Sequence, residues 1–204
     1  MPDEIDELLN DMRSENEKPC VDAAFKLAEM RDRKAVPGLV SLLKHSHPLV
    51  RNFAVFALAE IGDEAAEEPV RELLQDVDLG VRVRAGWALS KIGTDRSIPA
   101  LANALKEALD DDAHLSRQIM LALSQIGRST VDEIAPALHS SIPEVRETAV
   151  HFLNYIGNPK AKSHLLQLME HETNGAVLEE LRQALVDLDA ISQRNPGDAA
   201  QSGN

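Results

Sequence analysis

A six-residue signature, Ala-Leu-x-x-Ile-Gly, recurs along this chain at a nearly constant interval, and such a recurrence admits few folds. It stands at Ala57–Gly62, Ala88–Gly93 and Ala122–Gly127, and again at Phe152–Gly157 with Phe in place of Ala. Worn copies lie at Lys26–Arg31 and Ala184–Asp189. The anchoring leucines Leu27, Leu58, Leu89, Leu123, Leu153 and Leu185 are 31, 31, 34, 30 and 32 residues apart. A period in this range marks a stack of units, none of which can bury its apolar face alone.

Each unit reads as two helices. Val50, Ala54, Ala57, Leu58 and Ile61 have the spacing of one helical face, repeated by Val81, Ala85, Ala88, Leu89 and Ile92 and by Leu115, Ile119, Ala122, Leu123 and Ile126. The small alanines permit close approach of neighbouring helices. Gly62, Gly93, Gly127 and Gly157 are expected to end these helices in the left-handed conformation. A shorter apolar run follows each glycine, as in Val36-Leu39-Leu42-Leu43, Val70-Leu73-Leu74 and Ile98-Leu101-Leu105. Thr130-Val131-Asp132-Glu133 has the form of a capping box, and Thr94-Asp95 offers cap candidates. Pro48, Pro143 and Pro159 sit near helix starts. Pro37, Pro69 and Pro99 lie about a turn further in, so those helices should start late or bend, and Pro136 should kink its own. No sustained alternation of β-branched and polar residues suggests a strand.

These residues resemble the HEAT-repeat superfamily, in the subclass named after phycobilisome lyases. The resemblance rests on Val50-Arg51-x-x-Ala54 through Gly62-Asp63, on Val81-Arg82-x-x-Ala85 through Gly93, and on Val145-Arg146-x-x-Ala149 through Gly157. It implies an all-α fold, a right-handed α-solenoid of stacked antiparallel helix pairs. The expected organisation is an N-terminal capping helix within residues 1–18, repeats over 19–189 (about five helix pairs and a terminal helix), and a disordered tail over 190–204. One copy departs from the pattern, with Ser116 where Arg is expected and Arg117 one position late. The Asp110-Asp111-Asp112 run accompanies the long interval and should bulge.

The repeated Arg51, Arg82 and Arg146 are expected to pair with turn carboxylates such as Asp76 and Asp78 and so fix the angle between repeats. Composition excludes several functions. The formal charge of −13 repels phosphate backbones, no basic stripe recurs from copy to copy, and the outward second-helix residues Ser41, Glu72, Asn103 and Gln167 are polar. Nucleic acid is therefore not an expected partner, and the charge weakly favours a basic one. No apolar run is long enough to span a membrane, and the acidic N-terminus does not read as a signal peptide. The lone Cys20 reads as a small packing residue and fits a cytoplasmic location.

Chemistry-bearing constellations are sparse. His45 and His47, His164 and His171, and the single His171-Glu172 pair lack metal-ligand spacing, so no metal or other cofactor is expected. No phosphate-binding loop, nucleophile elbow or catalytic triad stands out, and no catalytic residue is nominated.

One column of residues resists a purely structural account. Two positions before each anchoring leucine stand Phe25, Phe56, Trp87, Leu121, His151 and Gln183. At about 100° per residue this position points away from the buried face. The chain holds four Phe, one Trp and one Tyr, and three of these occupy the column. Phe53 precedes Phe56 by a turn, and Tyr155 follows His151 by one. Stacked in register, Phe25, Phe53, Phe56, Trp87, Leu121, His151 and Tyr155 form an outer ridge that docks another protein or a second copy of this chain. The competing expectation is that the N-terminal helix, the tail or superhelical twist covers it. The functional expectation is a non-catalytic interaction scaffold or adaptor. The alternative implied by the resemblance is a bilin lyase or phycobiliprotein-binding protein, in which the repeats cradle an open-chain tetrapyrrole.

Overall fold

The computed structural model describes residues 4–14, 16–127 and 130–194, and all regular structure in them is helical. Two compact units divide the chain, Met1–Leu101 and Ala102–Asn204.

In the first unit, α1 (Glu4–Met12) buries Ile5, Leu8, Leu9 and Met12 as it packs on α2 (Glu17–Met30). The long helices α2, α4 (Pro48–Ile61) and α6 (Leu79–Ile92) lie side by side as one layer. The short helices α3 (Val36–Leu42) and α5 (Glu67–Glu72) form a second layer against them, followed by α7 (Ile98–Ala108), within which the units divide. In the second unit α8 (Ala113–Ile126), α10 (Pro143–Ile156) and α12 (Gly175–Arg194) form the long-helix row. Behind them run α9 (Val131–Ile134), which passes into a 3-10 helix over Ala135–His139, and α11 (Ala161–Met169). Helix α12 continues to Arg194, past the start expected for the tail; residues 195–204 lie outside the described residues.

The alanine–leucine faces are the core. Ala54, Ala57, Leu58, Ala85, Ala88, Leu89, Ala122 and Leu123 are fully buried. Cys20 in α2 is fully buried too, and burial pushes its thiol pKa up, as befits an unreactive side chain.

Proline position decides how each second helix begins. A 3-10 turn precedes α3, α5 and α7, and the α-helix starts one or two residues before Pro37, Pro69 and Pro99. There the missing N–H costs nothing, because the first turn has no intrahelical acceptors. Asp32, Asp63 and Thr94 cap these turns by accepting from the backbone N–H of Lys34, Ala65 and Arg96. Pro136 lies past the first turn, and the α-helix gives way to 3-10 at Ala135.

Two local expectations are corrected. Gly62 and Gly157 take the left-handed conformation (φ 74° and 64°), but Gly93 is extended (φ −72°, ψ 146°) because Thr94 caps the next turn at once, and Gly127 (φ 156°, ψ −180°) also lies outside the left-handed helical region. In the worn first copy, Arg31 occupies the left-handed position at φ 48°, which a Cβ disfavours. Thr130 precedes α9 as expected, yet it caps nothing ahead of it. Its hydroxyl donates backwards to the carbonyls of Leu123 and Gly127, closing α8 instead.

Buried ion pairs tie one repeat to the next. Arg51 donates Nε and Nη2 to the two carboxylate oxygens of Asp76 at 2.7 and 2.6 Å, while Nη1 reaches the carbonyls of His45 and Ser46. Arg146 does the same with Glu172, at 2.6 and 2.9 Å, and with the carbonyls of Ser140 and Ser141. Arg82 donates to the carbonyls of Asp76 and Val77, and Asp78 caps α6 through the Val81 N–H. Ser116 only reaches the Ala108 carbonyl, so the arginine contact is absent from that copy. Asp110 compensates by accepting from the Ser141 N–H and the Ser140 hydroxyl. A further staple escaped the sequence reading. The buried Glu67 carboxylate accepts from the Thr94 N–H and hydroxyl and from the Ser97 hydroxyl. Burial raises its pKa, but these bonds outweigh that and leave it lowered.

Glu172 gives this arrangement a measurable pH dependence. The Arg146 guanidinium, aided by the Thr173 and Asn174 N–H groups, holds its carboxyl at about 2 against the opposing effect of burial. The folded-state pKa lies below the unfolded one, so the stabilisation is complete above the ordinary glutamate range and disappears as pH falls towards about 2. Glu172→Gln should therefore lower unfolding free energy by about 2–3 kcal/mol at neutral pH. In denaturant titrations at stepped pH, the gap between variant and wild type should close as the medium is acidified.

Candidate functional site

Because α2, α4 and α6 pack side by side with equal repeat phase, the residues two before their anchoring leucines line up. Phe25 and Phe56 have ring centroids 4.9 Å apart at a 57° tilt, and Phe56 and Trp87 stack at 5.9 Å and 15°. Phe25 is 48% exposed; Phe56 and Trp87 are half-buried. The offset geometry is one in which ring pairs attract beyond the area they bury.

Cations sit on this stack. The Arg84 guanidinium carbon lies 5.8 Å from the Phe56 centroid and 5.3 Å from that of Trp87. Lys91 Nζ lies 4.6 Å from the Trp87 ring and also pairs with Glu60, which Arg31 approaches at 3.7 Å. Asn52 orients Arg84: its Oδ1 accepts from Arg84 Nε at 3.2 Å while its Nδ2 donates to the Gly80 carbonyl at 2.9 Å. Burial lowers the Arg84 pKa, although the group stays charged at any ordinary pH. Arg84 and Asn52 were not singled out from the sequence. The signal was present, since Arg84 occupies the repeat position that Phe53 holds in the preceding copy. Phe53 itself is half-buried, with no described ring contact.

The second unit treats the same positions differently. Leu121 is half-buried on α8, and His151 is exposed on α10, its Nδ1 3.2 Å from Glu180 Oε1. The His151 ring meets Phe152 edge-on at 5.5 Å. Tyr155 is 62% exposed, and its hydroxyl accepts from Gln125 Nε2 at 3.5 Å. Leu121, His151 and Tyr155 thus form no aromatic stack. Of the three, His151 lines an open groove of about 670 Å³, together with Arg117, Glu144, Glu147, Phe152 and Glu180 among others. Arg117 is paired with Glu144 at 2.9 Å, so the uncompensated charge of the groove is negative. Of the residues expected to form one ridge, only Phe25, Phe56 and Trp87 come together.

Glu172 of the His171-Glu172 pair is committed to Arg146, while the exposed His171 faces Glu170 at 3.9 Å. Among the described residues, no group of three or more His, Cys, Asp or Glu is placed to hold a metal ion, and no helix is long and apolar enough to cross a membrane.

A profile of HEAT repeats matches residues 5–66, 38–118 and 103–186, which together span nearly all the described helices. The chain belongs to the HEAT-repeat family. No curated protein matches it in sequence. Among solved structures, it is similar to the CpcE–CpcF complex of phycocyanin lyase from Nostoc sp. PCC7120, with 21% identity, a TM-score of 0.63, and 94% of this chain and 78% of that chain covered. It is also similar to an engineered protein (22% identity, TM-score 0.60, 93% and 98% covered). A designed armadillo repeat protein in complex with the peptide (KR)4 is similar as well (20% identity, TM-score 0.61, 91% and 100% covered). At these identities the likeness is one of fold.

Trp87 is the only tryptophan of this HEAT-repeat chain, so its emission reports on the stack alone. A double-mutant cycle of Phe56→Ala and Trp87→Leu should show a coupling of about 0.5–1.5 kcal/mol in unfolding free energy. Phe56→Ala by itself should red-shift the indole emission, as water reaches the ring face that Phe56 covers.

Proposed function

We propose that this HEAT-repeat protein is a non-catalytic scaffold or adaptor that docks another protein on the outward face of its long helices. The observation that carries the reading is the Phe25–Phe56–Trp87 stack, in which rings on three successive long helices remain partly exposed on the side away from the alanine–leucine face. Aromatic anchors of this kind dominate interface energies because they bury a large area at little entropic cost. The negative groove of the second unit adds a surface suited to basic side chains, and the similar designed armadillo protein holds a basic peptide. Replacing Phe56 and Trp87 together by Glu should reduce recovery of the partner, or self-association seen by light scattering, by about tenfold or more. Helicity should stay near that of the wild type and unfolding should stay cooperative, with the melting temperature lowered only by the loss of the ring contacts. A partner retained at wild-type level by the double variant overturns the reading; loss of folding would instead assign both rings to the core.

The groove supports a second reading. Glu147 and Glu180 supply carboxylates of the kind that face pyrrole nitrogens, His151 and Phe152 supply rings, and its volume suits an open-chain tetrapyrrole. Mixing the protein with a bilin should then produce a red-shifted band with induced dichroism that Glu147→Gln weakens. An unchanged bilin spectrum eliminates this reading.

A further inference from the structure

The scaffold reading leaves one charge in the aromatic surface unexplained. Arg51 and Arg146 are bidentate to buried carboxylates, and Arg31, Arg33, Arg71, Arg117 and Arg182 face Glu or Asp within 3.7 Å. Arg84 has no carboxylate among the described residues, although it is partly desolvated and lies against two rings. Partial burial is costly for a cation without a counter-ion.

The geometry holds the group ready for one. Asn52 occupies Arg84 Nε, and Asn52 is itself anchored on the Gly80 carbonyl. The rings of Phe56 and Trp87 support the guanidinium. What remains free of described partners is the Nη1–Nη2 edge, a side of the fork that can donate two parallel hydrogen bonds to a carboxylate. Lys91, the other cation on the stack, is already paired with Glu60.

We infer that Arg84 receives an aspartate or glutamate side chain of the docked protein, in a segment that also places an apolar or aromatic residue on Phe56 and Trp87. The inference rests on the scaffold reading and specifies its partner. A side chain is favoured over a chain terminus because the ring column runs on from Trp87 to Phe25 across three helices, room that a continuing segment fills. A peptide is favoured over nucleic acid because the stack offers a single unpaired cation within a chain of formal charge −13. The repulsive net field does not prevent the contact, since it is screened beyond about 8 Å at physiological salt.

Selection of random dodecapeptides against the full-length protein tests this, with Arg84→Gln and the Phe56/Trp87 double Glu variant run in parallel. Wild type should enrich peptides with Asp or Glu close to Phe, Leu or Ile. Arg84→Gln should keep the apolar preference and lose the acidic one. For an enriched peptide, exchange of its carboxylate for the amide should weaken binding to wild type about tenfold, read by Trp87 fluorescence, and leave binding to Arg84→Gln unchanged. Asn52→Ala, which frees the guanidinium without removing it, should give an intermediate loss. Enrichment at the ring surface (lost by the Phe56/Trp87 double Glu variant) of Lys- and Arg-rich peptides, or of binders indifferent to the amide exchange, overturns the carboxylate assignment and leaves the scaffold reading standing. Quenching of Trp87 by an oligothymidylate tighter than by any peptide overturns it in favour of nucleic acid. Failure to enrich any peptide that the double Glu variant loses overturns the scaffold reading and this inference with it.

Discussion

The close approach of one long helix to the next, permitted by alanines at their buried centres, is the constraint on which the rest of each unit depends. Ala54 and Ala57, Ala85 and Ala88, and Ala122 leave no bulk between neighbouring backbones, and the anchoring leucines fill what space remains. Helices held this way share a register. Residues of equal repeat phase then become spatial neighbours although about thirty positions separate them in the chain. The ring contacts of Phe25, Phe56 and Trp87 follow from that spacing.

Apolar packing alone would allow neighbouring repeats to slide, because it is non-directional. Direction comes from the buried polar staples. A bidentate arginine–carboxylate pair is satisfied in one relative placement of two turns, and Arg51–Asp76 and Arg146–Glu172 each also take up carbonyls of the turn before the arginine. The copy with Ser116 shows that the task outweighs the residue that performs it. Where the guanidinium is missing, Asp110 in the lengthened turn secures the next turn through Ser140 and Ser141. Glu67 binds the following lead-in turn by a third combination of groups.

The same repeat positions carry different chemistry in the two units. In the first they hold rings and the Arg84 cation; in the second Leu121, His151 and Gln183 replace the rings, and Glu180, at the groove, stands where Arg84 stands. A repeat architecture makes such divergence inexpensive, because the outward residues of a long helix bear little of the packing load. Recognition chemistry can vary along the chain while the alanine–leucine face stays the same.

How much was legible in the chain beforehand depended on range. The leucine period, the helical faces and the outward aromatic column were readable because 3.6-residue periodicity is local and repeat phase needs only counting. Prolines announced the late starts of α3, α5 and α7 for the same reason. Tertiary structure decided the remainder. Whether Thr130 closes the helix behind it or caps the one ahead turns on which carbonyls come within reach, and no spacing states that. Glu67, Asp110 and Asn52 find partners 27 to 32 residues away through single rotamers. That the three column rings make contact was decided by packing, as was the turn of His151 towards Glu180 on α12. Sequence by itself determined the repeat, its core and the phase of its surface. Only packing between helices determined which charges are paired and which, like Arg84, are left for something else to meet, because hydrogen bonds depend on angstrom-scale approach between segments distant in the chain.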